Sequence, residues 1–181
     1  MTGVGWLCTT ACAVLGVAAL TAVQTPKLLL WNASASAPIG LYALQEPIDL
    51  DIGALSVAAP PRSLAAYLAE RGYLPLGVPI LKRVAAFPGQ HVCRDGLTVT
   101  VDGIELGRAR DRDGKRRPLP NWQGCRIVTS DEIFLMNWQA ADSFDGRYFG
   151  PFPASAVIGH AIPLFTDEDG DGRFVWRAPM R

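Results

Sequence analysis

Two serines spaced two apart, a lysine set in an apolar stretch and a Ser-x-Asp-x-Arg run are the side chains best suited to chemistry. They lie in three patches. The first is Asn32-Ala33-Ser34-Ala35-Ser36-Ala37-Pro38-Ile39-Gly40-Leu41-Tyr42 and the second Leu81-Lys82-Arg83-Val84-Ala85-Ala86-Phe87-Pro88-Gly89. The third is Asp142-Ser143-Phe144-Asp145-Gly146-Arg147-Tyr148-Phe149-Gly150-Pro151. A serine hydroxyl is a poor nucleophile until a base takes its proton. The chain has 2 histidines, neither beside a Ser/Asp pattern, so a Ser-His-Asp triad has little support. Lysine can be the base when burial brings its pKa down from about 10.4 toward neutrality. Ile80, Leu81, Val84, Ala85 and Ala86 would supply such a pocket for Lys82, and strand alternation would send Arg83 to the opposite face. Ser36 as nucleophile with Lys82 as base is therefore chemistry these residues allow. Taken singly, the patches also read as a small-residue linker, a strand ending in a Pro-Gly turn, and a polar loop.

The cysteines leave alternatives open. Cys8 and Cys12, one helical turn apart in an apolar run, read as small apolar side chains. Cys93 and Cys125 could form a disulfide, which would suit an oxidising compartment, or remain two buried thiols. A zinc site with His91 and His160 has the right ligand types, but no C-x-x-C or H-E-x-x-H spacing supports it. At the C-terminus, Asp167-Glu168-Asp169-Gly170-Asp171-Gly172 imitates the start of a calcium loop. Its twelfth position is Ala178, where a bidentate Glu is needed, so a polar turn is the better reading.

The elements that would position these residues are mostly strands. Thr98–Val101 and Ile104–Leu106 flank Asp102-Gly103, a two-residue hairpin turn. Ile80-Leu81 running into Val84–Ala86, Ile133–Met136, Ala156–Gly159, Ala161–Phe165 and Arg173–Arg177 complete the strand set. One short soluble helix is expected after Pro61, with Ser63 as N-cap, Leu64, Tyr67 and Leu68 on its apolar face and Gly72 at C′. Arg108 to Arg117 is a charge run that reads as a solvated loop.

The N-terminus is a different kind of object. No charged side chain precedes Lys27, and the next is Glu46. The apolar run from Val4 to Val23 is long enough, at about 1.5 Å per residue, to span roughly 30 Å of hydrocarbon. A cleaved signal peptide would want a basic start and a shorter apolar core. The expectation is thus a single transmembrane anchor over residues 1–26 followed by one domain over 27–181. Lys27 on its own would keep that domain in the cytoplasm, a weak orientation signal. Across the 181 residues, 49% are hydrophobic, which excludes a disordered chain, and 17 basic side chains balance 17 acidic ones. That balance argues against a nucleic-acid partner.

Together and in this order, the three patches resemble the type I signal peptidases, membrane-bound serine proteases with a Ser/Lys dyad. They are most similar to the conjugative-transfer (TraF-like) branch, whose pattern is N-x-[ST]-x-S-x-P-x-G-x-Y. The resemblance implies Ser36 as nucleophile, Lys82 as general base, and Ser34 as a hydroxyl joining the Ser36 N–H in an oxyanion hole. It further implies that Ser143 orients the lysine, that Asp145 and Arg147 form a structural ion pair beneath the site, and that Pro38 shapes the nucleophile loop. No metal or cofactor is needed. The implied fold is mainly β, an all-β catalytic core with a β-rich extension and one short helix, behind the transmembrane helix. The implied location is the inner membrane, single-pass, with the catalytic domain facing the periplasm, which makes a Cys93–Cys125 disulfide the expected pairing. Partners would be membrane lipid and an exported protein with small residues before the scissile bond, a pilin precursor of a conjugation apparatus. Cleavage followed by intramolecular peptide-bond formation through the same acyl-enzyme is a variant of that role.

Two departures from the housekeeping enzymes favour the conjugative branch. Ala37 and Pro38 replace a Met-x-Pro arrangement after the serine, and Met136-Asn137-Trp138-Gln139 replaces a Gly-Asp-Asn/Ser stretch. The alternatives are a housekeeping signal peptidase with broad preprotein range, and a catalytically silent scaffold of the secretion apparatus.

Overall fold

A computed structural model describes residues 3–22 and 29–179. Strands β1 (Leu29–Asn32), β2 (Ile39–Gln45), β3 (Leu55–Ala58), β4 (Ile80–Ala86), β9 (Glu132–Leu135), β10 (Phe152–Pro153) and β11 (Val157–Asp167) build the larger sheet. Their order is β1-β2-β11-β3-β4-β9-β10, and β12 (Val175–Trp176) pairs with β11 outside that path. A four-stranded sheet joins β7 (Ile104–Arg108), β6 (Thr98–Val101), β5 (His91–Asp95) and β8 (Gly124–Ile127), in that order. The class is mainly β with few short helices. Asp102 and Gly103 both take positive φ at the β6–β7 turn, the primed geometry that matches strand twist.

β11 is one continuous strand where the sequence suggested two. Gly159, His160 and Pro163 interrupt the apolar alternation, yet β11 pairs with both β2 and β3 and so ties the sheet together. Every residue of β4 is buried, because both of its faces are covered. Ile80 and Val84 join one apolar cluster with Leu68, Leu135 and Phe152, while Leu81 joins another with Tyr42, Val57 and Ala161. The smaller sheet meets the larger through a third cluster in which Val92, Val99 and Val101 contact Phe134 and Met136. Arg94, 2% exposed, bolts that junction by donating from Nη1 to the Arg147 carbonyl at 2.6 Å.

Helix α2 (Arg62–Glu70) begins one residue before the expected cap. Pro61 is the N-cap, and no side chain caps the first turn. Its exit follows the expected pattern. Gly72 has φ +69 and donates to Ala69 O, and Tyr73 N donates to Leu68 O at 2.8 Å, the paired bonds of a Schellman motif. The charge run is likewise more ordered than a solvated loop. Asp113 accepts from Tyr73 Oη at 2.5 Å and from Arg117 Nε at 2.7 Å, pinning residues 110–119 against the end of α2.

The transmembrane anchor is corrected, and with it the inner-membrane, single-pass placement that rested on it. Among the described residues no helix is long and apolar enough to cross a membrane. Helix α1 spans Gly3–Ala22, and the hydroxyls of Thr9 and Thr10 within it return to Gly5 O and Trp6 O at 2.9 Å. Lys27 and the boundary drawn at 26/27 lie outside the described residues.

Gly40 sits where β2 meets the bulge of β11. Its φ is +148, and a Cβ there would lie 2.2 Å from Phe165 O. A methyl group has no room against main chain that cannot move aside. Gly40→Ala is expected to lower stability by about 2–3 kcal/mol, read as a reduced urea midpoint, whereas Gly72→Ala, with open space around it, loses less.

Candidate active site

The loop between β1 and β2 carries Ser34 and Ser36 and is braced from below. Asn32, 9% exposed, donates from Nδ2 toward the carbonyls of Ser34, Ala37 and Pro38 at 2.8–3.1 Å, and its Oδ1 accepts from Ser34 N. Tyr42 Oη donates to Pro38 O at 2.6 Å. Burial, with Glu168 nearby, pushes the Tyr42 phenol above its ordinary pKa and outweighs Arg83, so it stays a donor at any working pH. Pro38 thus contributes a carbonyl held from two sides. Asn32 and Tyr42 are members of the first patch, but nothing in their spacing discloses these bracing roles.

Three hydroxyls and one amine converge above this brace. Lys82 Nζ lies 3.2 Å from Ser36 Oγ and 2.8 Å from Ser143 Oγ. Ser34 Oγ is 3.1 Å from Ser36 Oγ and accepts from Ser36 N at 3.4 Å. The two candidate oxyanion donors are therefore neighbours, satisfied by each other while no charged oxygen is present. Lys82 is 5% exposed. Burial lowers its pKa from 10.5 to about 8, opposed by Asp145, which favours the cation, and assisted by Arg147, which disfavours it. Arg83, on the other face of β4, donates from Nη1 to Gly53 O at 2.8 Å and stays out of the pocket.

Beneath the amine, Asp145 and Arg147 are 0% and 1% exposed and form a two-point pair, Nε to Oδ1 at 2.9 Å and Nη2 to Oδ2 at 2.8 Å. Asp145 also N-caps the single turn α3 (Gly146–Phe149). Gly146 opens that turn because a Cβ there would meet the Phe134 ring at 2.6 Å. Arg147 Nη2 reaches the carbonyls of Asn137, Ala140 and Ser143. Its role is to hold the loop that presents Ser143.

A cleft of about 960 Å³ opens over these groups. Leu30, Ile80 and Leu74 line it together with Ser34, Ser36, Lys82 and Ser143, and Arg110, paired with Asp142, stands at its rim. β1 ends the sheet order, so among the described residues one of its edges is unpaired beside the serines.

Cys93 and Cys125 do not line this cleft; they are Cα partners in β5 and β8 and are joined Sγ to Sγ. Closing a loop of sequence separation 32 contributes about 3–4 kcal/mol. His91 lies beside Asp102 on the small sheet, while His160 belongs to β11. Among the described residues no three of His, Cys, Asp and Glu group as a metal site requires. Asp167 is occupied by the turn that follows it, accepting from Asp171 N and Gly172 N.

Comparison with known proteins bears on this geometry. The family model of signal peptidase, peptidase S26, matches residues 1–165. The conjugal transfer protein TraF of Agrobacterium tumefaciens is 38% identical over 172 residues, covering 85% of this chain and 92% of that protein. A probable conjugal transfer protein TraF of Sinorhizobium fredii is 37% identical over 146 residues, covering 75% and 76%. A plasmid transfer protein TraF of Escherichia coli is 32% identical over 145 residues, covering 75% and 81%.

Proposed function

The chain belongs to the signal peptidase family, peptidase S26, as a serine endopeptidase related to TraF conjugal-transfer proteins, and from that premise we propose that Ser36 and Lys82 form its catalytic dyad. The observation that carries this reading is the buried Lys82 amine between Ser36 Oγ and Ser143 Oγ, at 3.2 and 2.8 Å. Neutral Lys82 accepts the Ser36 proton as Oγ attacks the scissile carbonyl. Ser143, itself 2% exposed, keeps the lone pair aimed at the nucleophile. As the carbonyl oxygen gains charge, the Ser34 hydroxyl turns from Ser36 toward it and the Ser36 N–H follows, each donor contributing about 3 kcal/mol to the transition state. The lysine then gives its proton to the leaving amine. Water, deprotonated by the same lysine, releases the acyl group from Ser36.

The catalytic unit is the β-rich part of the chain. Its substrate is an exported protein that lies extended along the edge of β1 with small residues ahead of the cut, added as a strand. The names of the relatives favour a substrate of a conjugative transfer apparatus over a broad set of preproteins, and a pilin precursor is the substrate we infer within it. The test is cleavage of that precursor and of a preprotein panel by the whole chain, Ser36→Ala and Lys82→Ala. Loss of cleavage by about 10³-fold or more in both variants, with circular dichroism unchanged, is expected. Cleavage retained in both removes the dyad. Equal turnover of every preprotein removes the transfer-specific substrate.

A further inference from the structure

Asn137 carries no role in the dyad reading, yet its side chain hydrogen-bonds the segments of both Ser36 and Lys82. It follows β9, is 3% exposed, and sits where the backbone ladder between β4 and β9 stops. The last backbone bond there runs from Met136 N to Arg83 O at 2.9 Å. Beyond it the Asn137 carboxamide continues the ladder in place of main chain. Its Oδ1 accepts from Arg83 N at 2.9 Å, and its Nδ2 donates to Leu81 O at 3.2 Å. These are the two peptide groups that flank Lys82. The second Nδ2 hydrogen goes to Ser36 O at 2.7 Å, across 101 residues of sequence. Its own peptide is held by the buried pair, with Asn137 N donating to Asp145 Oδ2 at 3.0 Å and Arg147 Nη2 donating to Asn137 O at 3.2 Å.

We propose that Asn137 is a positioning residue whose single carboxamide fixes the distance between the nucleophile of one segment and the base of another. The proposal rests on the Ser36/Lys82 reading. A carboxamide offers two donors and one acceptor in one plane, and here each is spent on the backbone of the two catalytic segments. Leucine in its place keeps the volume and makes none of these bonds. Alanine loses all three. Neither change touches the Lys82 side chain or the walls of its pocket, so the base keeps its burial while its distance from Ser36 loosens.

The test uses the whole chain and a quenched-fluorescence peptide with small residues before the cut, assayed across pH 6–10 below the measured unfolding range. Asn137→Ala is expected to lower kcat about 100-fold, the size that a misplacement of about 1 Å produces. KM should stay within about threefold, and the rising limb of the profile should remain near the Lys82 value of about 8. If Asn137→Ala does not fold, Asn137→Leu, uncharged and close in volume, decides on the same criteria. Wild-type kcat in the folded variant overturns the proposal, as does an activity loss that only tracks the unfolded fraction. A limb displaced upward with kcat recovered at high pH also overturns it, because Asn137 would then act on the burial of the lysine. Failure of the underlying reading looks different: Ser36→Ala would cleave as well as wild type.

Discussion

Lys82→Met is expected to abolish peptide-bond cleavage, by about 10³-fold or more, and at the same time to stabilise the folded protein at pH 7. Both effects follow from one buried amine. Burial brings the Lys82 pKa from 10.5 to about 8, so at neutral pH the fold holds an ammonium it disfavours by roughly 3 kcal/mol. Methionine fills similar space among Ile80 and Val84 without the charge. It leaves the hydroxyls of Ser36 and Ser143 without their amine partner, an offset of about 1 kcal/mol each, and the net gain is about 1–2 kcal/mol. The pH dependence has a fixed sign. Between pH 8 and 10.5 the unfolded chain binds more protons at this site than the folded one, so wild-type stability rises with pH across that window. The advantage of Lys82→Met is therefore greatest below pH 8 and fades toward pH 10.5. Urea unfolding of both proteins at pH 7 and pH 10 measures it. A variant less stable than wild type at pH 7 would mean that the amine is held by favourable contacts rather than tolerated for catalysis.

The second large effect lies under the amine. Asp145→Ala leaves the Arg147 cation buried with no carboxylate, and the expected loss is about 3–5 kcal/mol. Asp145 also accepts from Asn137 N and Arg147 N, so the damage reaches the loop as well as the pair. Replacing both partners, Asp145→Leu with Arg147→Met, removes the orphaned charge and should recover part of that stability. Activity should not return, because the carbonyls of Ala140 and Ser143 lose the guanidinium that holds them and Ser143 is no longer set against Lys82. Urea midpoints with peptide cleavage on the single and double variants separate the two consequences. A double variant no more stable than Asp145→Ala would place the energy in the loop contacts and not in the charge.

What could be read from the residues alone was local. The Asp102-Gly103 hairpin, the strand character of residues 80–86 and the Gly72 exit of α2 each follow from turn chemistry or periodicity within a few positions. The sequence reads β11 as two strands, Ala156–Gly159 and Ala161–Phe165, parted at the polar His160, and pairing with β2 and β3 keeps it whole. Pro61 took the capping position expected of Ser63, since the fixed φ of proline already suits a helix start. The apolar run at the N-terminus reads as a span by its length, yet among the described residues no helix is long and apolar enough to cross a membrane. For the site, no spacing rule joins Ser36, Lys82 and Ser143. Resemblance supplied them, and the fold brings their side chains within hydrogen-bonding distance. Asn137 and Arg94 are silent because the contacts that tie them to distant segments reach across 53 to 101 residues, which no short window contains.

Lys82 and Arg83 stand side by side on opposite faces of β4, and the residues around them, Ile80-Leu81 before and Val84-Ala85 after, are all apolar. A slip of one residue against β3 would exchange the two faces and still bury an apolar strand with a cation at its centre. The cation offered to Ser36 would then be a guanidinium, which keeps its proton at every working pH. Such a chain would be folded and inert. The apolar pattern of β4 does not distinguish the two registers, and alongside packing the polar contacts Ser56 Oγ on Lys82 O, Arg83 Nη1 on Gly53 O and Asn137 on the peptides either side of Lys82 hold the right one. In this protein the accuracy of folding is written in hydrogen bonds, and turnover is where a mistake in it becomes visible.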